Sequence, residues 1–164
     1  MWHLGELYCG NFTGEGMDDH KAAEWYAKGA QAGNVNAMSS LAYMYKSGTG
    51  VPRNPQEAAA WYKKAAEGGD QHAYHRLGEM YVQGQGIPQN FHQAYTCFSA
   101  AAEAGWPFSM YALGELYELG RGVKRDYAIA GNWYEKAQIT PCKELREQAK
   151  QAQERVRTLL ASGE

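Results

Sequence analysis

The chain has 164 residues, 16 Lys and Arg against 18 Asp and Glu for a formal net charge of −2, and 45% hydrophobic residues. That balance excludes a nucleic-acid binder held mainly by phosphate neutralisation, and the apolar content excludes disorder. No apolar run reaches the roughly 18 residues of a membrane span, and Met1-Trp2-His3-Leu4 opens neither a basic nor an apolar leader segment.

Cys9, Cys97 and Cys142 are odd in number and form no Cys-x-x-Cys, a pattern unlike a disulfide framework or a structural zinc site. Unpaired cysteines and the missing leader favour the cytoplasm; removal of an N-terminal signal would place the chain in the periplasm or outside the cell.

Two excesses, 19 Gly and 12 Tyr, come from an internal repeat. Leu41-Ala42-Tyr43-Met44-Tyr45, Leu77-Gly78-Glu79-Met80-Tyr81 and Leu113-Gly114-Glu115-Leu116-Tyr117 lie 36 residues apart, and Leu4-Gly5-Glu6-Leu7-Tyr8 precedes them by 37. Ala22, Ala58, Ala94 and Ala130 keep the same 36-residue pitch, as do Trp25, Trp61, Cys97 and Trp133. Self-similarity at this period means stacked supersecondary units.

In chain order, unit one opens with Trp2 and Leu4 already inside a helical stripe and without a preceding cap. That uncapped edge is expected to pack on a second copy or a partner. Asp18 then has the side chain to cap a second helix, as Asn54, Asn90 and Asp126 do in register. Unit two shows the pattern most fully. Ala37, Leu41, Met44 and Tyr45 form one apolar stripe after Asn34, and Gly48 stops that helix. Asn54-Pro55 starts the next, whose stripe is Ala58, Trp61, Tyr62, Ala65 and Ala66. The small residue at Ala42, Gly78 and Gly114 predicts close approach of a neighbouring helix. In unit three, Asp70 is the expected cap; in unit four, Trp106-Pro107 stands in its place. The linking loops share Gly-x-Gly, which superficially suggests a phosphate cradle. They follow a helix, recur three times and lack Lys-Ser/Thr, so a turn is the expected reading. After Ala137 the repeat lapses. Thr140-Pro141 predicts a new helix start, and Leu145, Ala149, Ala152, Val156, Leu159 and Leu160 mark one narrow apolar face, as a terminal cap requires.

The motifs Leu-Gly-x-Leu/Met-Tyr, Gly-x-Gly-Val, an Asp/Asn cap, Ala-x-x-Trp-Tyr and Ala-Ala-x-x-Gly resemble the Sel-one-like repeats, a branch of the tetratricopeptide-like helical repeats. The resemblance implies an all-α superhelix (solenoid) of four helix-turn-helix repeats, at about 1–33, 34–69, 70–105 and 106–140, with a capping helix and tail over 141–164. It also implies a non-enzymatic interaction scaffold or bacterial adaptor that binds a protein or peptide on a concave surface lined by the first helices. Neutralisation of a secreted toxic effector, as an immunity protein, is the alternative. By register, the inner positions are Trp2 and Glu6 in unit one, and Asn36, Ser39, Tyr43 and Lys46 in unit two. Unit three offers His72, His75, Glu79 and Gln83; unit four offers Phe108, Tyr111, Glu115 and Glu118. Aromatic side chains with several carboxylates suit a partner carrying an apolar anchor and basic groups.

His72, His75 and Glu79 have spacing that would let two imidazoles and a carboxylate meet a divalent ion, a third and weaker functional reading with no recognisable fourth ligand. No cofactor is implied. For catalysis, no nucleophile-elbow, His-Glu-x-x-His or P-loop motif occurs, and no enzyme is expected. Cys142, near a helix start, is the cysteine best placed for thiolate activation but lacks a base.

Overall fold

A computed structural model of the chain describes residues 19–162. Among these residues there are eight helices and no strand: α1 (Asp19–Gln31), α2 (Val35–Ser47), α3 (Pro55–Glu67), α4 (Gln71–Gln83), α5 (Phe91–Glu103), α6 (Pro107–Leu119), α7 (Tyr127–Ala137) and α8 (Lys143–Ser162). They stack as a helical-repeat solenoid. α2/α3, α4/α5 and α6/α7 are hairpins, each packing more extensively within itself than on the next unit.

The caps explain the regularity. Asn34 accepts a hydrogen bond from the Ala37 N–H at 2.9 Å, Asn54 from Glu57 at 3.2 Å, Asn90 from Gln93 at 3.0 Å and Asp126 from Ile129 at 2.9 Å. Each satisfies a backbone donor that the first helical turn leaves open. Trp106 makes no such bond at the start of α6, which begins on Pro107 instead. The cap residues also fasten the loops, because the N–H groups of Asn54, Asn90 and Asp126 donate to the carbonyls of Tyr45, Tyr81 and Tyr117 at 2.8, 2.9 and 2.9 Å.

The Gly-x-Gly loops are turns with a packing duty. Gly86 has φ +73°, and a Cβ there would lie 2.2 Å from the Pro55 carbonyl oxygen. The loop after α4 therefore lies directly on the start of α3, and only glycine satisfies both the left-handed backbone and the contact. Gly50 and Gly122 repeat this against Asp19 and Phe91, so no loop leaves its second glycine open to cradle an anion. A Cβ on Gly78 would stand 2.5 Å from the Phe98 ring, and one on Gly114 2.5 Å from Tyr134, which is the close helix approach that the small residues predict.

The core is a chain of linked clusters. Ala30, Ala37 and Leu41 join units one and two, with Trp61 against them. Tyr62, Ala66, Leu77 and Met80 join units two and three. Phe98, Leu113 and Leu116 join three and four. Ala130, Tyr134, Ala152 and Val156 join unit four to α8. The last helix starts at Lys143, two residues later than Thr140-Pro141 predicts. Thr140 is buried, its hydroxyl accepts from the Cys142 N–H at 3.2 Å, and its carbonyl takes Arg146 Nη2 at 2.6 Å. Thr140 thus closes a turn ahead of the helix, while Leu145, Ala149, Ala152 and Val156 are buried as expected and Leu160 is exposed. Cys97 is a buried free thiol, pushed up to about 11 by burial. Cys142 is disulfide-bonded, which corrects both the expectation of unpaired cysteines and the idea of an activated thiolate there.

Candidate functional site

The first helices α2, α4 and α6 present the positions that differ from unit to unit. Trp2 and Glu6 lie outside the described residues. Asn36 is exposed near the start of α2, and Tyr43 two turns on is 57% exposed. Lys46, one turn beyond Tyr43, reaches across to α4, where its Nζ lies 3.5 Å from Glu79 Oε2. Glu79 also takes Arg76 Nη1 at 2.8 Å and stands 3.7 Å from His75 Nε2. Burial pushes the Glu79 carboxyl up, but Arg76 and these neighbours overcome it and hold the group below the ordinary carboxylate value.

From there a cavity of about 430 Å³ opens between α4, α6 and α8. His75, Glu79, Gln83, Phe108, Tyr111 and Glu115 line it, six of the positions that register places on the inner wall. Sequence reasoning missed Phe91, Phe98, Arg121, Leu145 and Gln148, which also line it. Arg121 sits in a loop read only as a turn, and Leu145 and Gln148 sit on a helix read only as a cap. The one available signal is Phe98, where the repeat usually has Tyr. Leu119, at the end of α6, is 54% exposed beside the same cavity.

Three of the variable positions serve internal contacts instead of a free surface. Ser39 donates to Asp70, the cap of the next unit. His75 is buried, shares a 2.9 Å hydrogen bond between Nδ1 and the Ser109 hydroxyl, and packs among Phe98, Trp106 and Phe108. Burial lowers its pKa to about 4, so it is neutral at pH 7. Glu118 accepts a bidentate pair from Arg155 of α8, both distances 2.7 Å, and the Tyr134 hydroxyl at 2.6 Å. Burial raises the Glu118 carboxyl, and the Arg155 and Tyr134 hydrogen bonds bring it below its ordinary value.

The divalent-ion reading is not supported at this wall. The His72 ring lies 3.9 Å from that of Trp106, and the His75 Nδ1 is taken up by Ser109. Among the described residues no group of three or more His, Cys, Asp or Glu side chains is arranged to hold a metal ion. No helix of these residues is long and apolar enough to cross a membrane.

Comparisons with known proteins agree with this architecture. The Sel1 repeat model matches residues 1–34, 35–70, 71–106 and 107–137. A protective antigen present in uropathogenic Escherichia coli strains, displaying an SLR fold, superposes with a TM-score of 0.74 at 36% identity, over 82% of this chain and 29% of its own length. The chain therefore spans less than a third of that protein. A Sel1 repeat protein from Oxalobacter formigenes gives 0.67 at 35% identity, covering 77% of this chain and 95% of that one. Helicobacter pylori cysteine rich protein B shares the fold, with a TM-score of 0.60 at 22% identity over 80% of this chain and 97% of its own. No curated protein matches. Capped helical hairpins at a constant pitch, matched through most of the length by one repeat model, place this chain in the Sel1 repeat family.

Proposed function

We propose that this chain is a non-enzymatic adaptor whose protein or peptide partner docks along the face of α2, α4 and α6. Sel1 repeat proteins are generally protein–protein interaction scaffolds. The observation that carries the reading for this chain is the continuous strip from exposed Tyr43, through the Lys46–Glu79 pair, to the cavity and exposed Leu119. An apolar side chain left in water beside a preformed cavity gains by covering it, and a rigid helical frame avoids much of the ordering entropy of binding. The identical residues of the repeat, by contrast, are occupied by caps, turns and the stacked core.

The test is capture of partners from the source cell with wild type and with Tyr43→Ala/Tyr111→Ala. Tyr43 is outside the core, so that substitution leaves thermal stability almost unchanged, and Tyr111 is half-buried at the cavity wall. Loss of the captured protein with retained helical signal supports the reading. Undiminished capture places the contact on the second helices or loops and refutes it.

A further inference from the structure

We propose that the cavity between α4, α6 and α8 receives one basic side chain, lysine or arginine, from the docked partner, with Glu115 as its counter-charge. This rests on the groove reading above and specifies what the groove grips.

Three described glutamates stand on this wall of the solenoid, and two already have cations. Glu79 holds Arg76 and Lys46, and Glu118 holds Arg155 in a two-pronged pair. Glu115 occupies the same repeat position as Glu79, yet it makes no hydrogen bond or ion pair among the described residues. Burial and the adjacent Glu118 raise its carboxyl above the ordinary value, with Arg155 and Arg121 offsetting only part of the effect. The cavity's own cation, Arg121, is placed over the Phe91 ring, 5.4 Å from its centroid, and not on Glu115.

The rest of the wall suits the stem of such a side chain. Phe108, Tyr111 and Leu119 offer aromatic and aliphatic surface beside the carboxylate. Lysine methylenes pack on that surface while the ammonium stays at its polar edge, and a guanidinium plane stacks on the rings. About 430 Å³ is ample for one long side chain. A purely aliphatic anchor would cover Glu115 without a partner, and a charge buried unpaired costs more than the apolar contact returns. An acidic anchor would meet like charge. Charge complementarity therefore selects a basic occupant.

The probe is a set of four labelled random-decapeptide pools with one central position fixed as Arg, Lys, Gln or Glu, each measured by retention on immobilised full-length chain. Wild type is expected to retain the Arg and Lys pools about tenfold over the Gln pool, with the Glu pool lowest. Glu115→Gln, on the exposed side of α6 and nearly isosteric, removes that preference while keeping the wild-type thermal midpoint. Glu79→Gln, whose carboxylate already has two cations, leaves the preference in place. Equal retention of all four pools, a preference that survives Glu115→Gln, or retention of no pool overturns the basic-anchor inference. Such a failure is separable from failure of the groove reading, which is decided by capture of the cellular partner with the tyrosine double variant.

Discussion

His75 illustrates how a residue that breaks the repeat can still be structural. It stands 36 residues after Ser39, and both meet the residue that begins the following unit. Ser39 meets Asp70 through a hydrogen bond, and His75 meets Trp106 through ring packing. A polar pair in one junction is replaced by an aromatic pair in the next, so the two irregularities compensate each other. The pH consequence follows from burial. The folded chain resists protonating His75 until about pH 4, whereas an unfolded histidine takes up its proton near 6.5. Between these values the unfolded state binds more protons, so stability falls as pH drops, by up to about 3 kcal/mol, and this contribution is constant below that window. His72, also lowered by burial against the opposing effect of Asp70, adds a part of the same sign. Glu79 and Glu118, both depressed, lose their contribution as pH falls through the carboxylate range below this window. In His75→Gln, thermal midpoints measured from pH 7 to 4 are expected to show a clearly shallower slope; an unchanged slope contradicts the assignment. Gly114 gives a second residue-scale expectation. Alanine there gains about 1 kcal/mol of helix propensity but pushes on a buried ring, and overpacking costs about 1–3 kcal/mol. Tyr134 is held by Glu118 and cannot shift without disturbing Arg155. Gly114→Ala is therefore expected to lower the unfolding free energy measured in urea by about 1 kcal/mol, and a raised value would show that the ring yields freely.

The elements behave as nearest neighbours. α8 covers the apolar edge of unit four through Leu145, Ala149, Ala152 and Val156, and its outer side is exposed. Val156→Ala removes fully buried volume and is expected to cost about 2 kcal/mol. In a solenoid the loss stays local: hydrogen exchange should accelerate in α7 and α8 and remain unchanged in α2 and α3. Equal acceleration everywhere would mean the stack melts as one unit. The repeat frame was legible because each of its features has a local cause. Asn54-Pro55 starts a helix, Gly86 makes a turn against Pro55, and Gly78 admits Phe98; all three follow from side-chain chemistry at fixed offsets. The start of α8 was less legible, because Thr140 can cap a helix or close a preceding turn, and only the docking of Arg146 on its carbonyl selects the turn. The candidate site was legible as a list of positions but not as a set of partners. Whether Ser39, His75 or Glu118 faces solvent depends on Asp70, Ser109 and Arg155, each contributed by a different element. Leu145 and Gln148 enter the cavity from a helix outside the repeat, where register has nothing to say.

At the scale of the whole molecule, the solenoid divides its residues into a periodic set that holds neighbouring units together and an aperiodic set displayed along α2, α4 and α6. Trp25, 71% exposed on α1 with Lys28 Nζ 4.8 Å from its ring, belongs to the periodic set: its equivalent in unit two, Trp61, packs against the preceding unit. Exposure alone therefore does not identify the recognition face. The strip from Tyr43 to Leu119 is distinguished by its cavity, by side chains that differ between units at most of its positions and by Glu115, which has no ion-pair partner among the described residues. The most direct measurement is a hydrogen-exchange and carboxyl-labelling footprint of the chain bound to a protein captured from its source cell. The account predicts protection of Glu115 and of α2, α4 and α6, with the second helices α1, α3, α5 and α7 unaffected. Protection confined to α1, α3, α5 and α7, with Glu115 as reactive as in the free chain, would contradict it.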